Sequence, residues 1–235
     1  MTTSLTPAGR LRVGVNTGNF LLVTKDADGR IRGIVHDLGQ ELARRLGTSA
    51  EFVLYPQAGE VADAAKAGVW DVAFIGAEPQ RANEIDFTEA YIEIEATYLV
   101  PAGSAIRSLE EVDRKGVRIA VAARSAYDLW LSRNIRHAEL VRTEGIEGSY
   151  QLFLKEKLDV LSGLKPRLLM DQAKLPGSRI LEGRFTAVQQ AIGAPKGRRG
   201  AADYLKSFVA EIKASGLVAD LIRRHNVVGV TVARK

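Results

Sequence analysis

Short apolar runs recur along this chain with room for one amphipathic helix between each pair, and that alternation points to a parallel α/β architecture. Leu11 to Val15 reads as the first strand. Ile34, Leu38, Leu42 and Leu46 then fall four apart, marking one face of a helix from about Ile34 to Leu46 that Gly47 ends. Glu51 to Tyr55 is the next strand, Val61 to Ala67 a short helix stopped by Gly68, and Asp71 to Ile75 a buried strand closed by Gly76. ATYLV at 96–100 is β-branched and aromatic and runs out through Pro101 and Gly103. The pattern then restarts with a helix at SLEEV, strand VRIAVAA, helix SAYDLWLSRNI, strand ELVR, a helix around Tyr150 to Lys155, strand DVLSG and a short helix after Pro166. Thr186 to Ile192 alternates as a strand does. Two helices follow, one defined by Leu205, Phe208, Val209 and Ile212, the other by Leu217, Val218, Leu221 and Ile222, with Gly216 between them. No solenoid-period repeat and no low-complexity linker interrupts the series.

Composition excludes several classes. The 235 residues are 46% hydrophobic and 26% charged, ordinary for a folded globular chain, and no run approaches the roughly 18 to 20 apolar residues that span a bilayer. Cysteine is absent, which removes disulfides, thiol nucleophiles and thiolate metal sites. The net charge of +5 suits an anionic ligand in a general way, but Lys and Arg are scattered, without a nucleic-acid footprint. The densest basic run, Lys196 to Arg199, reads as a solvated turn without the spacing of a phosphate loop. MTTSLTPAGR has no apolar core and no small-residue cleavage site, so it does not read as a signal peptide.

Within this frame, the stretch from Trp70 to Tyr91 delivers Arg81 onto a loop directly after a buried strand. Pro79 fixes its own φ and holds the loop open, so Arg81 projects from the carboxyl edge of the sheet, where α/β proteins bind ligands. A guanidinium there presents a planar fork of donors suited to a carboxylate or phosphate. The segment alone leaves two readings: a ligand clamp, or a surface pair with Glu78, Glu84 or Asp86.

The blocks E-P-Q-R (78–81) and I-D-F-T-E-A-Y (85–91) resemble the first-lobe signature of the family 3 solute-binding proteins, the periplasmic amino-acid receptors of ABC importers. The resemblance extends from about Leu11 to His225. It implies the two-lobed type II periplasmic-binding-protein fold, α/β, each lobe a mixed, mostly parallel sheet flanked by helices, with two crossing hinge strands. It places lobe 1 at 1–99 plus 193–235 and the inserted lobe 2 at 100–192. The implied function is binding of a small carboxylate-bearing solute, an amino acid or related organic acid, in the interlobe cleft, for delivery to ABC permease subunits. A periplasmic monomer without cofactor or nucleic acid is expected, although with no leader in the sequence the cytoplasm stays open.

The resemblance also nominates ligand contacts. Arg81 clamps the carboxylate. Ser125, a natural N-cap where strand VRIAVAA hands over to a helix, completes the pocket with helix N–H groups. Arg124 stands where the family has glycine, either over the cleft, implying a more acidic ligand, or turned to solvent. Leu164 occupies the place of the acid that holds an α-ammonium in the family, so either another acid substitutes or the ligand lacks an amine. Glu78, in place of the family's threonine, either neutralises Arg81 or meets the ammonium itself. Asn16, Asn19 and Phe20 follow the first strand where the family has polar groups and a stacking aromatic; a core phenylalanine is the other reading of Phe20. Lys165 and Arg167 are expected to be solvated loop charges, and Trp70, Tyr91 and Trp130 to be packing residues.

Enzyme readings find little support. His36, His137 and His225 are isolated and lack metal-ligand spacing, and Ser125 has no histidine partner or G-x-S-x-G elbow. The alternatives carried by the same resemblance are a cyclohexadienyl-dehydratase-like enzyme, with Glu78 as general acid, and a ligand-sensing subunit.

Overall fold

The computed structural model describes residues 5–198 and 200–234. Arg199 of the basic run and the first four residues of MTTSLTPAGR lie outside them. In chain order the elements are β1 (Leu11–Asn16), β2 (Thr24–Lys25), β3 (Ile31–Arg32), α1 (Ile34–Arg45), β4 (Ala50–Tyr55), α2 (Ala58–Asp63), β5 (Val72–Gly76) and β6 (Ile85–Val100). There follow β7 (Arg118–Ala122), α3 (Ala126–Asn134), β8 (Glu139–Thr143), α4 (Gly145–Lys155), β9 (Val160–Leu164), α5 (Lys165–Gln172) and β10 (Arg179–Ile180). The chain ends through β11 (Thr186–Pro195), α6 (Ala201–Ala214), α7 (Leu217–Arg224) and β12 (Val230–Val232).

Two compact units form: unit 1 takes the residues up to Glu93 and those from Gln189 onward, and unit 2 is Ile94–Val188. β6 and β11 carry the chain from one to the other. In unit 1 the strands run β4-β1-β5-β11, with β4, β1 and β5 parallel and β11 antiparallel to β5. Unit 2 orders β6-β9-β7-β8, with β9, β7 and β8 parallel and β6 and β10 antiparallel to their partners.

Each unit has its own apolar centre. In unit 1, Trp70 packs with Val61, Ala65, Ala73, Ile75 and Ile85, and its indole N–H donates to the Val61 carbonyl at 3.0 Å. Gly14 on β1 makes room for it: a Cβ there would stand 3.0 Å from the indole ring. The four-residue spacing of α1 does what it predicts, burying Ile34, Leu38 and Leu42, and Gly47 stops the helix with φ 68°. In unit 2, Leu99, Ala120, Tyr150, Phe153, Leu158, Leu161 and Leu168 form the corresponding cluster.

Several elements differ from expectation: α2 is Ala58–Asp63 and not Val61 to Ala67, and the short strands β2, β3, β10 and β12 are not among the expected elements. β6 begins at Ile85, well before Ala96, because Ile92, Ile94 and Ala96 are buried in alternation with half-buried Glu93 and Glu95. SLEEV forms only a three-residue 3-10 turn at Leu109–Glu111. α5 starts at Lys165, so Pro166 lies in its first turn, where a missing N–H costs nothing.

Candidate functional site

Both units are pinned at the amino ends of their strands by an aspartate. The Asp71 carboxylate accepts the Arg12 backbone N–H at 3.0 Å while Asp71 N donates to the Arg12 carbonyl at 2.8 Å. In unit 2, Asp159 does the same with Arg118, at 2.8 and 3.1 Å. Each aspartate thereby sets the register of one parallel strand pair. The opposite, carboxyl ends then release residues 16–20 and 77–84 side by side in unit 1, and residues 123–125 and 165–167 side by side in unit 2. Asp71 is fully buried and also takes the guanidinium groups of Arg12, at 2.8 and 3.0 Å, and Arg198, at 2.7 Å. Burial pushes its carboxyl up, but the hydrogen bonds from Arg12 and Arg198 outweigh it and hold it below the ordinary range.

At the carboxyl edge of unit 1, Arg81 begins a 3-10 turn and is 5% exposed, which removes it from the surface. Its Nη1 donates to the Gly76 carbonyl at 2.7 Å, so the guanidinium folds back onto the last residue of β5. The preceding loop closes through Ala82 N and the Glu78 carbonyl at 3.0 Å. Glu78 is half-buried, and Glu84 pairs with Lys66 at 2.9 Å.

The neighbouring loop is a tight turn. Asn16 Oδ1 accepts the Gly18 N–H at 3.0 Å, and Thr17 bonds the Tyr55 carbonyl through both N–H and hydroxyl, at 2.8 and 3.0 Å. Gly18 is required: a Cβ would come within 2.4 Å of the Pro56 carbonyl oxygen. Asn19 is buried, its Oδ1 has no hydrogen-bond partner among the described residues, and its own carbonyl accepts the N–H groups of Leu22 and Val23, both at 3.0 Å. Phe20 is half-buried beside it.

In unit 2, Ser125 caps α3 as its residue type predicts: its Oγ accepts the Asp128 N–H at 3.1 Å. Arg124 is exposed and adopts φ 60°, the left-handed region in which glycine is unstrained and a Cβ is not. Asp128, which sequence reasoning passed over, links the turn. Its carboxylate accepts from Arg124 N at 2.7 Å and from Arg142 Nε at 2.9 Å. The Ser-x-x-Asp spacing is the available signal for it. Tyr127 is buried next to Ser125, and burial pushes its phenol well above the ordinary value.

Leu164 is buried at the end of β9. Lys165 and Arg167 are helical, not loop, residues, and Arg167 is not the solvated charge expected of it, whereas the Lys165 side chain stays 39% exposed. The Arg167 side chain is 12% exposed and donates to both oxygens of Asp171, at 2.9 Å each, and to Glu147 at 2.5 Å, over the ring of Tyr150. The Arg-to-Asp spacing of four along a helix was the legible part of this cluster. Lys165 bonds Glu95 at 3.0 Å.

The histidines are less isolated than expected. His36 Nδ1 and His225 Nε2 lie 3.0 and 2.9 Å from the two oxygens of Asp37. Among the described residues no group of three His, Cys, Asp or Glu is placed to hold a metal. Nearby, an open groove of about 560 Å³ runs between α1 and α7, lined by Asp37, Gln40, Glu41, Arg44, Leu217, Leu221 and Arg224. Hydrogen bonds from Arg44 and Arg45 pull Glu41 down to about 2. None of the expected ligand residues lines this groove.

The structure is similar to that of the L-cysteine solute receptor of Neisseria gonorrhoeae, with TM-score 0.82 and 19% identity over 97% of this chain and 95% of that one. An ancestral amino-acid-binding protein, a precursor of cyclohexadienyl dehydratase, gives 0.78 and 21% over 95% and 98%. A Wolinella succinogenes protein described as an ABC-transporter binding component, complexed with lysine, gives 0.79 and 22% over 92% and 95%. These likenesses establish the two-lobed type II periplasmic-binding-protein fold. No curated protein sequence matches the chain significantly. Residues 11–227 match the model of the bacterial extracellular solute-binding proteins, family 3, and the chain belongs to that family.

Proposed function

We propose that this protein is the solute-binding component of an ABC-type importer, working in the periplasm and taking a small carboxylate-bearing solute. A solute-binding role follows from family membership over residues 11–227. Structural relatives that receive L-cysteine or were solved with lysine support a ligand of amino-acid size. The observation that carries the carboxylate is Arg81, a buried arginine anchored by Gly76 at the carboxyl end of β5. In this reading Arg81 grips the carboxylate with its planar fork, and Asn16, Asn19, Phe20 and Glu78 shape the rest of the unit 1 contribution. Asn19 is suited to that part because its buried Oδ1 has no hydrogen-bond partner among the described residues. Unit 2 contributes Ser125, with Arg124 adding positive charge and Leu164 an apolar boundary.

The testing experiment is a thermal-shift screen of amino acids, 2-oxo acids and dicarboxylates. A true ligand at about a hundred times its dissociation constant stabilises the protein by roughly 2.7 kcal/mol. Stabilisation by carboxylates and not by their amides supports the proposal; stabilisation by none of them overturns it. The likeness to a dehydratase precursor makes one control necessary: the protein is expected not to turn over prephenate or arogenate, and sustained formation of aromatic product would replace the receptor reading with an enzymatic one.

A further inference from the structure

Within unit 1, three titratable side chains join α1 to α7. Asp37, in the first turn of α1, meets His36 Nδ1 with Oδ1 at 3.0 Å and His225 Nε2 with Oδ2 at 2.9 Å, and all three side chains are half-buried. We infer that His225 and Asp37 form a proton-operated clasp on the segment from α7 to β12, bound by a neutral hydrogen bond at alkaline pH and by a charged one in mild acid. The clasp is independent of what solute the protein binds. The two histidines have unequal parts in it. His36 precedes Asp37 on the same helix and stacks on Phe52 of β4 with ring centroids 5.1 Å apart, so it fixes Oδ1 without joining α1 to α7. That leaves Oδ2 to His225, 188 residues away. His225 caps the carboxyl end of α7, where the helix dipole favours a cation. A carboxylate bonded to an ionised donor is held roughly twice as strongly as by a neutral one. β12 follows α7, pairs with β6 and is continued by Ala233, whose N–H donates to the Tyr91 carbonyl at 3.2 Å, so the clasped segment includes the last strand.

The other charges on α1, α7 and the elements packed against them have partners of their own. On α1, Glu41 holds Arg44 and Arg45. On α7, Asp220 pairs with Arg223, and Arg224 stands 3.6 Å from Asp37, where an arginine adds a constant attraction and no switch. From α6, Glu211 bonds Arg45, Lys213 bonds the Ala90 carbonyl, and Asp203 and Lys206 form a loose pair at 3.9 Å beside the Tyr204 phenol. Of the strands packed on α1, β1 spends Arg12 on Asp71, β3 spends Arg32 on Asp26, and β4 spends Glu51 on Arg10 and carries the Tyr55 phenol. β12 has no charged residue. Burial pushes the Asp37 carboxyl up, but the hydrogen bonds from His36 and His225 outweigh it and hold it below the ordinary range, so the acceptor keeps its charge down through about pH 4. Histidine ordinarily takes its proton as pH falls through about 6.5, and a proton that strengthens a native contact adds stability as pH falls. The clasp therefore tightens between about pH 8 and pH 5.5 and loosens again only in acid strong enough to neutralise Asp37.

The test is amide hydrogen exchange on the intact protein at about pH 8 and pH 5.5, corrected for the intrinsic exchange rate, with α4 of unit 2 as internal reference. Protection of wild-type α7 relative to α4 is expected to rise at least about threefold at the lower pH, and about 0.5 M salt is expected to remove much of that rise. His225→Gln, whose amide nitrogen keeps a neutral donor, is expected to retain the protection seen at pH 8 and to lose the rise. His36→Asn is expected to retain both. Wild-type protection that is flat or falls on acidification, or a rise that salt leaves untouched, overturns the inference without recourse to a variant. So does a folded His225→Gln protein that keeps the rise, or a folded His36→Asn protein that loses it.

Discussion

Replacing Asp71 by asparagine is expected to destabilise the protein by about 3 kcal/mol, and the same change at Asp159 by about 1 kcal/mol or less. The two aspartates make equivalent backbone contacts, to Arg12 N at 3.0 Å and Arg118 N at 2.8 Å, which an asparagine oxygen can keep. They differ in charge partners. Asp71 also binds two guanidinium groups, whereas the Arg118 side chain goes to the carbonyls of Glu156 and Lys157 at 3.2 and 3.3 Å. Charge-assisted bonds contribute about 1.5 to 3 kcal/mol each. The loss is partly offset because the side chains of Arg12 and Arg198 are 23% and 21% exposed and can turn to water. For a chain of this size about 3 kcal/mol lowers the midpoint by roughly 6 to 12 °C. Urea and thermal unfolding of both variants provide the assay, with the urea slope as a check that the transition itself is unchanged. The pH dependence has a fixed sign. Because the folded protein holds the Asp71 carboxyl below its ordinary value, the stability difference is fully present above about pH 4 and shrinks as pH falls through the lowered value. Equal losses at the two positions, or an Asp71→Asn protein within 1 kcal/mol of wild type, would refute the reasoning.

Two other substitutions probe the local geometry. Arg124→Gly removes a Cβ from a backbone at φ 60° and is expected to raise stability by up to about 1 kcal/mol in urea unfolding, while weakening affinity for an acidic solute; a destabilised protein contradicts the left-handed turn. Asp37→Asn replaces the carboxylate shared by His36 and His225, so amide exchange over α7 is expected to quicken while α4 in unit 2 is unaffected; unchanged protection of α7 tells against the tie.

Periodic apolar residues made the helices and most strands legible, because burial of a face leaves a repeating mark: Ile34, Leu38 and Leu42 on α1, or Leu205, Phe208, Val209 and Ile212 on α6. β6 was legible only over its uninterrupted apolar end, since Asp86, Glu89, Glu93 and Glu95 break the early part into something that reads as a loop motif. The site divides in the same way. Ser125 announces its capping role by residue type and position, and the position of Arg81 in the turn after β5 is likewise readable from the strand before it. What decides the behaviour of the neighbouring charges is tertiary. Glu147 and Arg167, 20 residues apart, meet across α4 and α5, and Arg198 reaches Asp71 from 127 residues away. No local pattern encodes such pairs. The backbone of Arg124 is similar: left-handed geometry at a non-glycine residue leaves no trace in its own identity.

The measurement that bears most directly on the account is the affinity of the Arg81→Lys protein for the solute that the wild type binds, taken by calorimetry alongside its thermal midpoint. Lysine keeps the charge and loses the planar fork, so the dissociation constant is expected to rise about a hundredfold, roughly 2.7 kcal/mol, with the fold retained. A folded Arg81→Lys protein that binds as tightly as wild type would contradict the claim that this guanidinium holds the carboxylate.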